Sequence, residues 1–230
     1  MHDITLYGHL TVDRVFENFK ENLSLGAIAN SWDALTKIDP TLSVKLNPTS
    51  IGEAIILVDK DKNFRLGQPQ LNVKVNDFLQ VENSRWHHIM YLNSLHDASF
   101  LSTIKTGIIS ADITVGEKNK NLEYLKFIDY LFVSDEDLFM DLQELSELVK
   151  GWVVLHYPSG SVITDGNTTH KYETNVVDGL NVLGAGDIFA SSFIFSSLNT
   201  KNSIKDSVKF AHSKTLELLL QKNRRHTNEQ

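Results

Sequence analysis

The chain of 230 residues contains no cysteine. Disulfide frameworks, thiolate zinc sites, iron–sulfur clusters and cysteine nucleophiles are therefore excluded, whatever the fold. Proline is scarce at 4 residues, glycine stands at 12, and no Ser/Gly/Pro-rich run marks a linker. Positive charge is not in excess either: 22 Lys and Arg face 29 Asp and Glu, a net charge of −7. That balance gives no electrostatic reason to expect nucleic acid or an anionic membrane as the main partner. No stretch approaches the roughly 18 consecutive apolar residues that a spanning helix needs. The opening MHDITLYGHLTVD lacks the basic and apolar regions of a secretory signal, so a cytoplasmic protein is expected. No internal repeat at solenoid or propeller spacing is visible.

What remains is an ordinary globular composition, 41% hydrophobic and 22% charged, which argues against disorder. The length suits one α/β domain spanning residues 1–230. Strand-like and helix-like segments alternate, which predicts a layered α/β architecture with a mostly parallel sheet. Residues 2–16 read as a strand ending near a turn at Gly8 to Asp13. Residues 27–38 carry Ile28, Trp32, Leu35 and Ile38 at helical spacing, with Pro40 as the stop. Leu42–Leu46, Ala54–Asp59 and Phe64–Leu66 form a small β region. The Asp59–Asn63 run between the last two is turn chemistry. It is not a calcium loop, because Phe64 and Gln70 stand where that loop needs Gly and Glu.

Further along, His88–Leu92, Gly107–Ile113 and Asp129–Val133 read as short buried strands, with a helix at 97–105. An acidic helix is expected from Ser134 to Val149, then a strand pair, Trp152–His156 and Ser161–Thr164, turning at Pro158–Gly160. Two helices follow, one from Gly184–Asp187 to about Leu198 and one over 203–220. The tail, QKNRRHTNEQ, reads as a solvated helix end.

The sharpest local feature is Asn181-Val-Leu-Gly184-Ala185-Gly186-Asp187 ahead of IFASSFIFSSL. Such a turn opens backbone N–H groups onto a helix N-terminus, where unpaired donors and the dipole favour an anion. Small side chains let a phosphate approach the backbone. Asp187 then stands in the first turn, where a carboxylate can accept a proton from a hydroxyl. The same residues also suit close packing with Asp187 as a cap, and on this segment alone both readings stand. His87, His88, His96 and His156 match no metal spacing and are not assigned to catalysis. Asp112, ending a strand, is a candidate to face a crevice at the carboxyl ends of the sheet.

Three segments in order resemble the ribokinase-like (PfkB) family of carbohydrate kinases. They are Asn181 to Phe193, Gly8-His-Leu-Thr-Val-Asp13, and Leu25-Gly26-Ala-Ile-Ala-Asn30. The resemblance implies a three-layer αβα sandwich with a reduced β lid, expected within residues 42–66. It implies transfer of the ATP γ-phosphoryl to a hydroxyl of a sugar, sugar acid or nucleoside-like substrate, with Mg2+. By that resemblance Asp187 is the base and Gly184, Ala185 and Gly186 form the anion hole. Asp13, Gly26 and Asn30 hold the substrate, and Asn181 and Gly160 serve the nucleotide. No Walker-type loop is present, since Ala185 follows Gly184 where Lys would stand.

The departures are as informative. Leu25 replaces the first glycine of the family's pair and is expected to crowd the pocket. Asn181 replaces an acid. Ser134–Asp137 stands where the family has Asn-x-x-Glu, leaving Asp135 and Asp137 to meet Mg2+ through water; a plain capped helix start is the competing reading. Leu155–Gly160 keeps only the last glycine of its motif. Only twelve residues separate Asp13 from Gly26, where the family contributes lid strands. A reduced lid also admits a homodimer built across it. A kinase-fold protein that binds a sugar or nucleotide without turnover is the alternative.

Overall fold

The computed structural model describes residues 1–17, 20–59, 64–74, 81–114 and 120–228. In chain order the elements are β1 (His2–Glu17), β2 (Lys20–Ala27), α1 (Ile28–Ile38), β3 (Val44–Asp59), β4 (Phe64–Lys74), β5 (Ser84–Ile89), β6 (Ile108–Asp112), β7 (Tyr130–Ser134), α2 (Leu142–Leu148), β8 (Trp152–Tyr157), β9 (Gly160–Thr164), β10 (Thr169–Glu173), α3 (Ala185–Leu198) and α4 (Ile204–Asn228). They group into two compact units. One comprises Met1–Gly8, Thr41–Thr49 and Asn76–Asn175; the other comprises His9–Pro40, Ser50–Val75 and Val176–Gln230.

In the first unit the strands lie in the order β10-β9-β8-β7-β6-β5-β1-β3. β1 pairs parallel with β5, and β5 to β8 continue parallel, while β9 and β10 extend the edge as antiparallel strands. Parallel strands are covered on both faces, so they are apolar without alternation; Leu131, Phe132 and Val133 of β7 are all buried. The core joins Tyr7, Ile89, Leu131 and Val153 to Leu145 of α2. A buried polar chain runs through it: the Trp86 indole N–H donates to Ser110 Oγ at 2.7 Å, and Ser110 Oγ lies 2.8 Å from His88 Nδ1, while His88 Nε2 is buried without a hydrogen-bond partner among the described residues. Asp112 is buried, with a carboxylate oxygen 3.4 Å from His88 Nε2.

The second unit has two antiparallel hairpins and three helices. β1 beyond Gly8 pairs with β2, and β3 beyond Thr49 pairs with β4. α3 packs against both α1 and α4. Its residues Phe189, Ala190, Ser191, Ser192, Phe193 and Ile194 are all buried, which suits a helix that is small and apolar on every side. Val15, Ala54 and Ile56 form a second core with Val58 and Leu183.

The structure differs from the sequence-based expectations in several elements. β1 runs unbroken through Gly8 to Glu17, with no turn. The two strands expected at 42–59 are one, β3. β strand extends beyond 42–66: Asp13–Glu17 of β1 pairs antiparallel with Lys20–Ser24 of β2. Trp32 is exposed on α1 while Ile28 and Leu35 are buried. The expected helix at 134–149 starts only at Leu142, where Asp141 caps it by accepting from the Gln143 N–H at 2.8 Å. Residues 97–105 give a short 3-10 turn at Ser99–Thr103. β10 was not foreseen, and α4 continues to Asn228. The Asp59–Asn63 turn, Asp59 apart, and the last two residues of the tail lie outside the described residues. Among the described residues no helix is long and apolar enough to cross a membrane.

Candidate active site

The second unit gathers the chemistry-bearing residues of the α1 and α3 N-terminal regions. Gly184 precedes α3 with φ 81°, a left-handed conformation that favours glycine. Asp187 follows in the first turn and is 6% exposed. Its Oδ2 accepts the Asn30 Nδ2–H at 2.9 Å, so the two segments singled out in the sequence meet through one hydrogen bond. The Ala185 N–H is taken by Val182 O at 2.9 Å and the Ile188 N–H by Gly184 O at 3.0 Å. The Gly184 and Gly186 N–H groups belong to the same turn at the helix start. Donors of that kind, at the positive end of a helix, are oriented for an anion.

Asn181 is buried and its polar groups shape the approach to α3. Its Oδ1 accepts the Leu183 N–H at 3.0 Å, and its backbone is bound by Asn223 of α4, through N–H to Oδ1 at 3.0 Å and through O from Nδ2 at 3.3 Å.

Asp13 and Gly26 meet across the β1–β2 hairpin. Thr11 stands opposite Gly26 and Asp13 opposite Ser24. A Cβ on Gly26 would come within 2.1 Å of Asp13 Oδ1 and 2.3 Å of Thr11 Oγ1. Glycine therefore makes room for the carboxylate. Thr11 Oγ1 donates to Asp13 Oδ1 at 2.7 Å. Burial raises the Asp13 pKa above its usual value, while the Thr11 hydroxyl and the charge of Lys222 oppose the rise. Leu25 pairs with Val12, one residue off this register, so its side chain springs from the opposite face of the hairpin. It is half-exposed at the rim of the cleft.

That cleft, of about 350 Å3, is lined by Asn30, Asp33, Lys37, Gly184 and Lys222 among others. Asn30, Asp33 and Lys37 recur at helical spacing on α1, and Lys37 forms an ion pair with Asp33. Lys222 is half-buried, and its ammonium donates to Leu183 O at 3.0 Å. Burial lowers its pKa from the usual value; the Asp187, Asp33 and Asp13 carboxylates raise it again, and Lys37 adds to the lowering. The sequence reading missed Lys222 because it stands in a polar stretch. The available signal was spacing, since buried Leu218 and Leu219 precede it by four and three residues.

The other expected site residues belong to the first unit. Ser134 Oγ donates to Asp137 Oδ2 at 2.6 Å and accepts the Asp137 N–H at 3.1 Å, and the Asp135 N–H donates to His156 O at 3.2 Å. This is a self-contained capped turn. Gly160 is required by close approach, since a Cβ there would lie 2.1 Å from Tyr172 O of β10. Among the described residues there is no group of three or more His, Asp or Glu able to hold a metal ion.

No protein-family model matches the sequence. The structure is similar to ribokinase from Thermotoga maritima, at 16% identity and a TM-score of 0.73 over 94% of this chain and 92% of that one. It is similar to fructokinase from Vibrio cholerae, at 16% identity and 0.70 over 96% and 99%. A nucleoside kinase from Methanocaldococcus jannaschii, an archaeal member of the ribokinase family, gives 17% identity and 0.66 over 94% and 91%. A double mutant of the Vibrio cholerae fructokinase has also been solved with fructose, ADP and a potassium ion bound. The chain has the ribokinase fold: an α/β architecture with a mostly parallel central sheet.

Proposed function

We propose that this chain of ribokinase fold is a kinase, transferring the γ-phosphoryl group of ATP to a hydroxyl of a sugar, sugar acid or nucleoside-like substrate. The observation that carries the proposal is the Asn30–Asp187 hydrogen bond at the cleft, with Gly184 beside it. Asp187 accepts the proton of the attacking hydroxyl, and Asn30 fixes the orientation of its carboxylate. The Gly184–Ala185–Gly186 loop stabilises the charge of the phosphoryl group, with the Gly184 and Gly186 N–H groups as donors. Asp13, Gly26 and Asn30 hold the substrate, and Asn181 serves the nucleotide by shaping the loop before α3. Because phosphoryl transfer needs positioning and charge stabilisation more than covalent chemistry, such a site is sufficient without a Walker loop.

Mg2+, carried on the nucleotide phosphates, would neutralise their charge.

The same reading makes the β1–β2 and β3–β4 hairpins the lid over the substrate. Val12, Leu23, Leu25, Ile51 and Leu57 of these hairpins are exposed. Val12 and Leu25 pair directly, with Leu23 on the same face. We propose that a second copy of the chain covers this apolar surface, since a self-complementary patch suits a twofold dimer.

A second reading is favoured by Asn181, whose side-chain oxygen and backbone are bonded within the turn where the resembling family carries an acid. It is a protein that binds the same ligands without turnover. ADP formation with Mg-ATP, measured across sugars, sugar acids, polyols and nucleosides, separates the two. The kinase gives acceptor-dependent ADP; ligand binding with no ADP from any acceptor contradicts it.

A further inference from the structure

Lys222 takes no part in the Asn30–Asp187 hydrogen bond, yet it lies in the same cleft. It stands near the end of α4, three and four residues after buried Leu219 and Leu218, which turns it toward the interior. It lines the cleft with Asn30 and Gly184. The charged groups acting on it are the carboxylates Asp187, Asp33 and Asp13 and the ammonium of Lys37, and Asp33 and Lys37 are already paired. Of these carboxylates, Asp187 is the expected base and Asp13 the expected substrate anchor, and the Lys222 ammonium is held at Leu183 O, one residue before Gly184.

A latch is the simplest structural role, since Lys222 Nζ donates to Leu183 O at 3.0 Å. That role does not call for a charge. Neighbouring Asn223 ties the other end of the same loop, binding both the N–H and the O of Asn181 with a neutral amide. A half-buried ammonium also loses hydration, which favours an uncharged donor wherever a hydrogen bond alone is needed. The chemistry supplies a reason for the charge. An ionised base and a phosphoryl group are both anions, and bringing them together in a cleft is opposed by their mutual repulsion. A fixed cation beside the base offsets that repulsion without moving during the reaction.

We infer that Lys222 is a catalytic residue, its ammonium contacting the phosphoryl group in transfer beside Asp187 at the Gly184–Gly186 loop. This deepens the kinase reading and rests on it for the reaction, whereas anion binding by Lys222 is separately measurable. The proton goes from the acceptor hydroxyl to Asp187, the new O–P bond forms as the bond to ADP breaks, and Lys222 keeps its protons throughout.

The test uses the full chain, inorganic phosphate as the probe, and the variants Lys222→Gln and Lys222→Arg. Gln retains a donor for Leu183 O without the charge, so it separates latch from cation. Calorimetry is expected to show phosphate binding by the wild type, weakened about tenfold or more in Lys222→Gln and largely kept in Lys222→Arg. With an active acceptor, kcat of Lys222→Gln should fall by about 100- to 1000-fold, the loss typical of removing one transition-state contact. Wild-type phosphate affinity in Lys222→Gln, or no phosphate binding by the wild type, overturns the inference. ADP formation with kcat intact in Lys222→Gln overturns it and leaves the kinase reading standing. Phosphate binding that depends on Lys222, with no ADP from any acceptor, supports the anion contact and removes the kinase reading. If Lys222→Gln does not fold, acetylation mapped on the wild type decides: phosphate should shield Lys222 from the reagent, and equal labelling with and without phosphate overturns the inference.

Discussion

Asn30 and Asp187 are 157 residues apart in the chain, and the Asn30 amide donates to the Asp187 carboxylate at 2.9 Å. Each is set near the start of its helix, and α1 and α3 pack directly on one another. The pair is therefore held by helices rather than by loops, which favours a fixed geometry. Around it stand Gly184, the cleft and Lys222, so one short distance joins what the chain keeps far apart.

A side chain at Gly26 is expected to displace the Asp13 carboxylate. A methyl group would lie 2.1 and 2.3 Å from the two Asp13 carboxylate oxygens. Both belong to a side chain that can swing aside, so the fold should survive Gly26→Ala while the carboxylate is displaced. Acceptor KM should rise about tenfold or more, with the melting temperature within a few degrees of wild type. An unchanged KM contradicts the assignment of Asp13 to the substrate.

Ala27, the residue before α1, has φ 50° and ψ −126°. That conformation is strained for any residue with a Cβ, by about 1–3 kcal/mol. Ala27→Gly releases the strain but adds chain entropy to the unfolded state, about 0.4–1 kcal/mol. The net expectation is stabilisation by about 1 kcal/mol, seen as a rise of about 2–4 °C in Tm by differential scanning calorimetry. A fall in Tm would contradict the strain.

Burial raises the Asp13 pKa above its usual 3.8. The native state then holds that proton more tightly than the unfolded state, so the stability it contributes is lost as pH rises from 3.8 through the raised native value. Asp13→Asn keeps an acceptor for Thr11 and has no proton to lose. Its stability relative to wild type should climb across that window and level off above it. Urea unfolding at a series of pH values measures this; a pH-independent difference contradicts the stated cause.

The exposed apolar surface of the hairpins gives a prediction about assembly. Leu23 is 72% exposed and Leu25 49%. Light scattering should find a dimer in the wild type, dissociated by Leu23→Lys because a charge would be buried at the interface. A wild-type monomer at tens of micromolar concentration would contradict the proposed covering by a second copy.

Much of this was readable in the sequence where local pattern and fold agree. Buried parallel strands such as β7 announce themselves as unbroken apolar runs, and α3 by Gly-Ala-Gly-Asp ahead of a small, apolar helix. The β2 segment, KENLSLGA, was not legible because it has no β-branched residue and is largely exposed; its pairing with β1 defines it. Ser134 and its acids resemble a helix start because they form a capping arrangement, yet the chain turns away and Asp141 caps α2 instead. Lys222 was hidden for a different reason. Its spacing from Leu218 and Leu219 marks the buried face of α4, but its place in the cleft with Asn30 and Gly184 is created by the packing of α4 on α3.

The most direct measurement is the rate of acceptor-dependent ADP formation by wild type and Asp187→Asn, with phosphate binding followed in parallel. Asparagine keeps an oxygen to accept from the Asn30 amide but cannot take the hydroxyl proton. The account predicts a loss of at least about 100-fold in kcat, the range of general-base catalysis, with phosphate binding retained. Turnover by Asp187→Asn within a few-fold of wild type would contradict it.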